Sequence, residues 1–250
     1  MVKIEVDFWT TGFHGEEFGI KQKEQWMAKS RQFTRDMDIF GAIKIDGESS
    51  GLVAYRENAL KEDNRLVIRA FTKGGAWIGS LEELLAKEIR NTALLDAPTL
   101  SYAVILSKYD YIVTIEKIIK PGLFKKETYV FDIFNEKKEI ETFAIISDRM
   151  SLGADFSVVR TKDDKKVASL DSKVLNIGGR IDIKYHDKSI ENNIALRNIL
   201  ILFAASLRFV EEQKDKVMHL VRKLRKDKEF VLEIADEELA LYKNPRRIKY

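Results

Sequence analysis

The sequence predicts an α+β fold that is mostly β. An N-terminal α+β module over residues 1–119 is followed, over residues 120–250, by a small antiparallel β-barrel with a C-terminal helix and a basic tail. Three observations carry this expectation. Short runs of alternating apolar and polar residues recur along the chain between polar turns, the spacing of small barrels and sandwiches. Pro121-Gly122, the sole adjacent proline and glycine, lies near the middle in a basic connector and marks the boundary. The 250 residues, 45% hydrophobic and 33% charged, are enough for two domains with real cores and lack the composition of long disordered tracts.

Ile4, Val6 and Phe8 share one face of an opening strand, and residues 16–33, with Ile20, Trp26, Met27 and Phe33, predict a helix with a polar majority. Residues 39–45 and 52–55 flank Asp46-Gly47-Glu48-Ser49-Ser50-Gly51, turn chemistry that reverses a chain because glycine tolerates positive φ. Residues 66–71 form another strand, closed by Gly74-Gly75. Ser80-Leu81-Glu82-Glu83 has the form of a capping box, so a helix is expected from there to about Leu95, stopped by Pro98. Residues 102–106 and 111–119 complete the first half as strands.

Past the connector, residues 129–134, 140–146, 155–159, 166–170 and 179–185 read as short strands, with hairpin tips at 135–138 and 162–165. Residues 194–210 are a continuous apolar run, which periodicity alone does not assign to strand or helix. Read as a last strand, the run precedes a helix over 211–225 whose apolar stripe is Val217, Leu220, Val221 and Leu224. Phe131, Ile145, Phe156, Ile181 and Phe209 are expected to point into the barrel core.

The net charge of +3, from 43 basic and 40 acidic side chains, does not mark a nucleic-acid protein, so nucleic acid is not an expected partner. With no cysteine there is no disulfide, thiolate nucleophile or zinc-thiolate site, which fits a reducing compartment. The first eight residues lack the apolar core of a signal peptide, and the longest apolar run, 199–207, is too short to span a bilayer. A cytoplasmic location is therefore expected. His14, His186 and His219 are scattered, so no metal is expected either. The basic stretches 222–228 and 244–249 have the charge to meet a nucleic acid or an anionic membrane, but without interleaved aromatics they read as a solvated helix face and a loose terminus.

The turn between the strands near Ile145 and Phe156 keeps Asp148 and Gly153 five residues apart, with Ser151 between them. This layout resembles the signature turn of the PilZ family, bacterial receptors for cyclic di-GMP, in which Asp or Asn, any residue, Ser, two residues and Gly follow in order. Here Ser151 sits one place late. The glycine-led strand after Ile177 and the closing helix are similar to the family's as well. The resemblance implies a non-enzymatic regulatory or scaffold protein of cyclic di-GMP signalling or motility, docking on a protein partner such as the flagellar or motility machinery. It implies nucleotide-binding roles for Asp148, Ser151 and Gly153. The family's upstream Arg-x-x-x-Arg pair is missing from Lys120-Pro121-Gly122-Leu123-Phe124-Lys125-Lys126-Glu127. Arg31 and Arg35 have the spacing but lie in the first half. Lysine lacks the planar fork that grips phosphate and stacks on guanine, so cyclic di-GMP is expected to bind weakly or not at all, and no cofactor is expected.

Two other readings stand beside this one. In a tubby-like or scramblase-like barrel, repeated hairpins wrap a central apolar helix; residues 194–210 would be that helix, and the protein would be lipid-associated or a scaffold. Lys44-Ile45-Asp46-Gly47 matches the Lys-x-Asp-Gly of covalent nucleotidyltransferases, whose lysine attacks the α-phosphate of ATP. The later ligase motifs are only echoed, and no Glu-Gly dipeptide occurs.

Overall fold

The computed structural model describes residues 2–8, 30–119, 126–148, 155–174 and 179–243. Twelve strands form one closed antiparallel barrel: β1 (Lys3–Phe8), β2 (Met37–Ile45), β3 (Glu48–Arg56), β4 (Val67–Thr72), β5 (Trp77–Glu83), β6 (Ser101–Leu106), β7 (Val113–Ile118), β8 (Thr128–Phe134), β9 (Ile140–Ser147), β10 (Phe156–Arg160), β11 (Lys165–Val174) and β12 (Gly179–Tyr185). Each strand pairs with its chain neighbours, and β1 closes the wall by pairing with both β2 (Ile4↔Ile45) and β12 (Ile4↔Ile183). Closure leaves no edge strand unpaired. Among the described residues five helices accompany the barrel: α1 (Glu57–Lys61), α2 (Leu85–Leu95), α3 (Ile194–Ser206), α4 (Val210–Lys226) and α5 (Asp236–Leu241).

The barrel is wrapped around α3. Leu196 and every residue from Ile199 to Ser206 are buried, so past its first turn this helix has no solvated stripe, as expected of a stretch apolar on all sides. It touches β1, β4, β5, β6 and β12, and on the remaining side the Phe203 ring meets Tyr129 of β8 at 5.0 Å and Phe156 of β10 at 6.0 Å between centroids. Asn193 starts the helix by accepting a hydrogen bond from the Leu196 N–H at 3.0 Å. Gly79 of β5 lets it approach closely, since a Cβ there would lie 2.7 Å from Leu106 and 3.3 Å from Leu202.

The run over residues 194–210, which the sequence leaves open between strand and helix, is therefore a helix followed by a single 3₁₀ turn, Leu207–Phe209, and not the last strand of a barrel. The physical reason is that β12 already pairs with β1, leaving no edge for another strand, while the lumen needs filling. Phe131, Ile145, Phe156 and Ile181 are buried in the core as expected. Phe209, freed from any strand, is half-buried at the barrel mouth, 5.4 Å from the Phe40 ring and 5.6 Å from that of Tyr55.

The wall takes β1–β7 from residues 1–119 and β8–β12 from residues 120–250, with β7 and β8 paired across the connector (Glu116↔Val130). The sheet is thus one large barrel rather than a small barrel beside an α+β module. The supposed capping box is also different: Ser80 to Glu83 end β5, and α2 begins at Leu85 without a side-chain cap. Glu83 accepts from the Leu66 N–H at 2.7 Å across the mouth of the β4–β5 pair instead of reaching back along a helix. The β2–β3 hairpin turns at Asp46 (φ 50°) and Gly47 (φ 84°), the left-handed pair of a type I′ turn. Most of the helix expected over 16–33 lies outside the described residues; residues 31–36 are turns leading into β2.

Candidate functional site

The lumen is occupied by α3, so the groups open to a ligand lie at the barrel's ends and outer face. One end is capped by helices. β3 and β5 run out into α1 and α2 there, and α3 emerges into α4, which packs along α2.

Beneath the cap lies a layer of buried charge. Glu83 and Glu88 are both fully buried. Lys216 of α4 donates to Glu83 Oε1 at 2.5 Å and to the Asn64 carbonyl at 2.6 Å. Arg65, 1% exposed, donates to the Glu83 carbonyl at 2.9 Å and to Glu82 Oε2 at 2.7 Å. Glu88 Oε1 accepts from the Ser101 N–H at 2.8 Å, and the Tyr102 hydroxyl donates to Gln213 of α4 at 2.8 Å. Glu238 of α5 accepts from the Ala86 N–H at 2.9 Å, which fastens the last helix to the first turn of α2.

The two central carboxyls are driven apart. Burial, then the neighbouring Glu83 charge, pushes Glu88 well above the usual carboxyl range. Burial also opposes ionisation of Glu83, but the Lys216 ammonium and hydrogen bonds from Glu88 and the Leu66 N–H prevail and hold it low. Glu88 is thus the protonated partner, and its proton bridges the pair; this accounts for Glu88 Oε2, which otherwise has no donor. A carboxylic acid beside its base is familiar in catalysis. Here neither group is accessible, and what the pair joins is β5, α2 and α4.

Above this layer the cap presents an uneven surface. Leu94 and Leu95, at the end of α2, are 77% and 54% exposed. Arg225 of α4 donates to Asp96 Oδ1 at 2.9 Å and to the Ala93 carbonyl at 2.8 Å. A cleft of about 240 Å³ beside them is lined by Ala97, Pro98, Ile118, Ile119 and Lys126, together with the Lys117–Glu127 ion pair at 2.9 Å. Arg222, Lys223, Lys226 and Lys228 are all exposed.

The sequence-derived candidates fall elsewhere. Asp148 immediately follows β9 and is exposed, its carboxylate accepting from the Ser157 hydroxyl at 3.1 and 3.2 Å. Ser151 and Gly153 lie outside the described residues, as do Lys120 and Lys125. Arg31 and Arg35 are exposed in the turns before β2, five strand positions around the wall from β9 by the shorter route. At about 4.8 Å per strand that is on the order of 20 Å, so these arginines and Asp148 are not brought together. Lys44 pairs with Asp7 at 3.0 Å on the outside of β2, and Asp46 accepts from the Lys3 N–H at 2.8 Å. The Lys-x-Asp-Gly stretch is therefore a hairpin end. Sequence reasoning noted the α4 cations but missed Leu94 and Leu95, for which the signal was their adjacency: two successive helical residues do not both face one core.

Comparisons with protein-family models, with curated proteins and with solved structures found no match to this chain. Among the described residues no helix is long and apolar enough to cross a membrane, and no group of three or more potential ligands could hold a metal ion.

Proposed function

We propose that this protein is a non-enzymatic barrel of the tubby-like or scramblase-like kind, acting through its outer surface as a lipid-associated or scaffold protein. The observation that carries the reading is α3: a helix whose apolar stretch from Ile199 to Ala205 is buried inside a closed antiparallel barrel, the feature that separates this architecture from a barrel ending in a strand. With the lumen packed by Ile199 to Ala205, the barrel's interior serves stability, and recognition falls to the exterior and the helical cap.

Flotation of the purified protein with phospholipid vesicles tests this. Association with vesicles supports the lipid reading; a protein that stays with the soluble fraction at every composition points to scaffolding alone. The PilZ-like reading remains a second proposal, favoured by the Asp148 turn, whose backbone N–H donates to the Asp155 carbonyl at 2.8 Å. Calorimetric titration with cyclic di-GMP decides it: saturable binding that survives high salt and disappears in Asp148→Ala would replace the lipid reading with a receptor.

A further inference from the structure

The outer face of the α2–α4 cap combines exposed aliphatic side chains with cations unpaired among the described residues. Leu94 and Leu95 stand exposed at a helix end, while Arg222, Lys226 and Lys228 have no carboxylate within ion-pair distance among the described residues. The Arg225 contacts to Asp96 and Ala93 hold the leucine pair and the cationic end of α4 side by side. Residues 222–229 set five cations against Asp227 and Glu229, so the local field is positive although the whole chain is nearly balanced.

A partner that fits must be anionic and must also accept aliphatic side chains. Nucleic acid supplies the charge but buries no leucine, whereas the headgroup and acyl boundary of an acidic bilayer supplies both. We propose that this face docks peripherally on anionic membranes, with Leu94 and Leu95 entering the acyl boundary and Arg222, Lys226 and Lys228 resting on the headgroups. The inference rests on the lipid-associated reading and adds to it the contact surface and the headgroup charge.

The test compares flotation of the full chain with vesicles of phosphatidylcholine alone and of phosphatidylcholine mixed with phosphatidylserine. The wild-type protein is expected to bind only the mixed vesicles, more weakly as salt rises. The pair Leu94→Glu and Leu95→Glu should lower that affinity by about a hundredfold or more, the scale of two lost leucine insertions. Neutralising Arg222, Lys226 or Lys228 with glutamine should cost about fivefold each. A control pair on hairpin tips at the other end, Lys137→Glu and Lys162→Glu, should leave binding unchanged. Leu94→Trp should shift its emission to the blue on mixed vesicles alone. All these positions are exposed, so the variants should unfold at the wild-type temperature. If the wild type binds but the leucine and cation variants bind equally well, the surface is wrong and the lipid reading stands. If the wild type binds neither vesicle, both fall. Binding of polyuridylate lost with the cations but indifferent to the leucines would instead mark a nucleic-acid surface and overturn the proposal.

Discussion

Replacing Glu88 with glutamine is expected to leave the protein at least as stable at neutral pH, whereas the same change at Glu83 should cost about 3 kcal/mol. Glutamine at 88 reproduces the protonated acid, since its carbonyl accepts from the Ser101 N–H and its amide donates to Glu83 as the shared proton did. Glutamine at 83 strands the Lys216 ammonium, whose side chain is only 16% exposed. The pH dependence separates the two further. Because the folded state raises Glu88 above its ordinary value of 4.5, its contribution is complete below that value and declines as pH rises through the higher folded one. Glu83, held low, contributes above its ordinary value and loses that contribution as pH falls. Urea unfolding of wild type, E88Q and E83Q at intervals from about pH 5 to pH 8 reads this directly. E88Q should flatten the decline towards high pH. An E88Q protein that is as destabilised as E83Q, with the wild-type pH dependence intact, would refute a shared proton.

Phe203→Ala, which empties the lumen between Tyr129 and Phe156, should cost about 3–5 kcal/mol in the same denaturation assay; a loss near zero would mean that α3 is not the core. Asn193→Ala should cost about 1 kcal/mol by removing the N-cap, with Asn193→Ser restoring most of it. Gly51→Ala should be strongly destabilising, since its Cβ would fall 2.1 Å from the Phe71 carbonyl oxygen of the paired strand; wild-type stability would show that β3 and β4 are not registered as described.

Much of the wall was legible because inward and outward residues alternate along its strands. Ile4, Val6 and Phe8 face in while Glu5 and Asp7 face out, and the strands of the second half fall within a few residues of their expected limits. The hairpin at Asp46-Gly47 was legible for the same local reason, a turn that demands positive φ. What local pattern did not carry was the closure. Which strands meet depends on pairings between residues far apart in the chain, such as Ile4 with Ile183, and composition near residue 120 carries no information on whether β7 and β8 pair across it. The helix α3 was ambiguous because burial on every side erases the periodicity that separates helix from strand. Ser80-Leu81-Glu82-Glu83 misled in the opposite way: its spacing suits a cap, but β4 on one side and β6 on the other claim the backbone groups a cap would serve. The buried layer was not legible at all, because Glu83, Glu88 and Lys216 are ordinary helix-forming charges until the fold brings α4 across α2.

Hydrogen exchange of the native protein, read peptide by peptide, tests most directly the claim that both halves form one barrel around a central helix. Amides of residues 199–206 should be among the slowest to exchange, and those of β1–β7 and β8–β12 should be released together in one global opening. Fast exchange across 199–206, or separate openings on either side of residue 120, would contradict it.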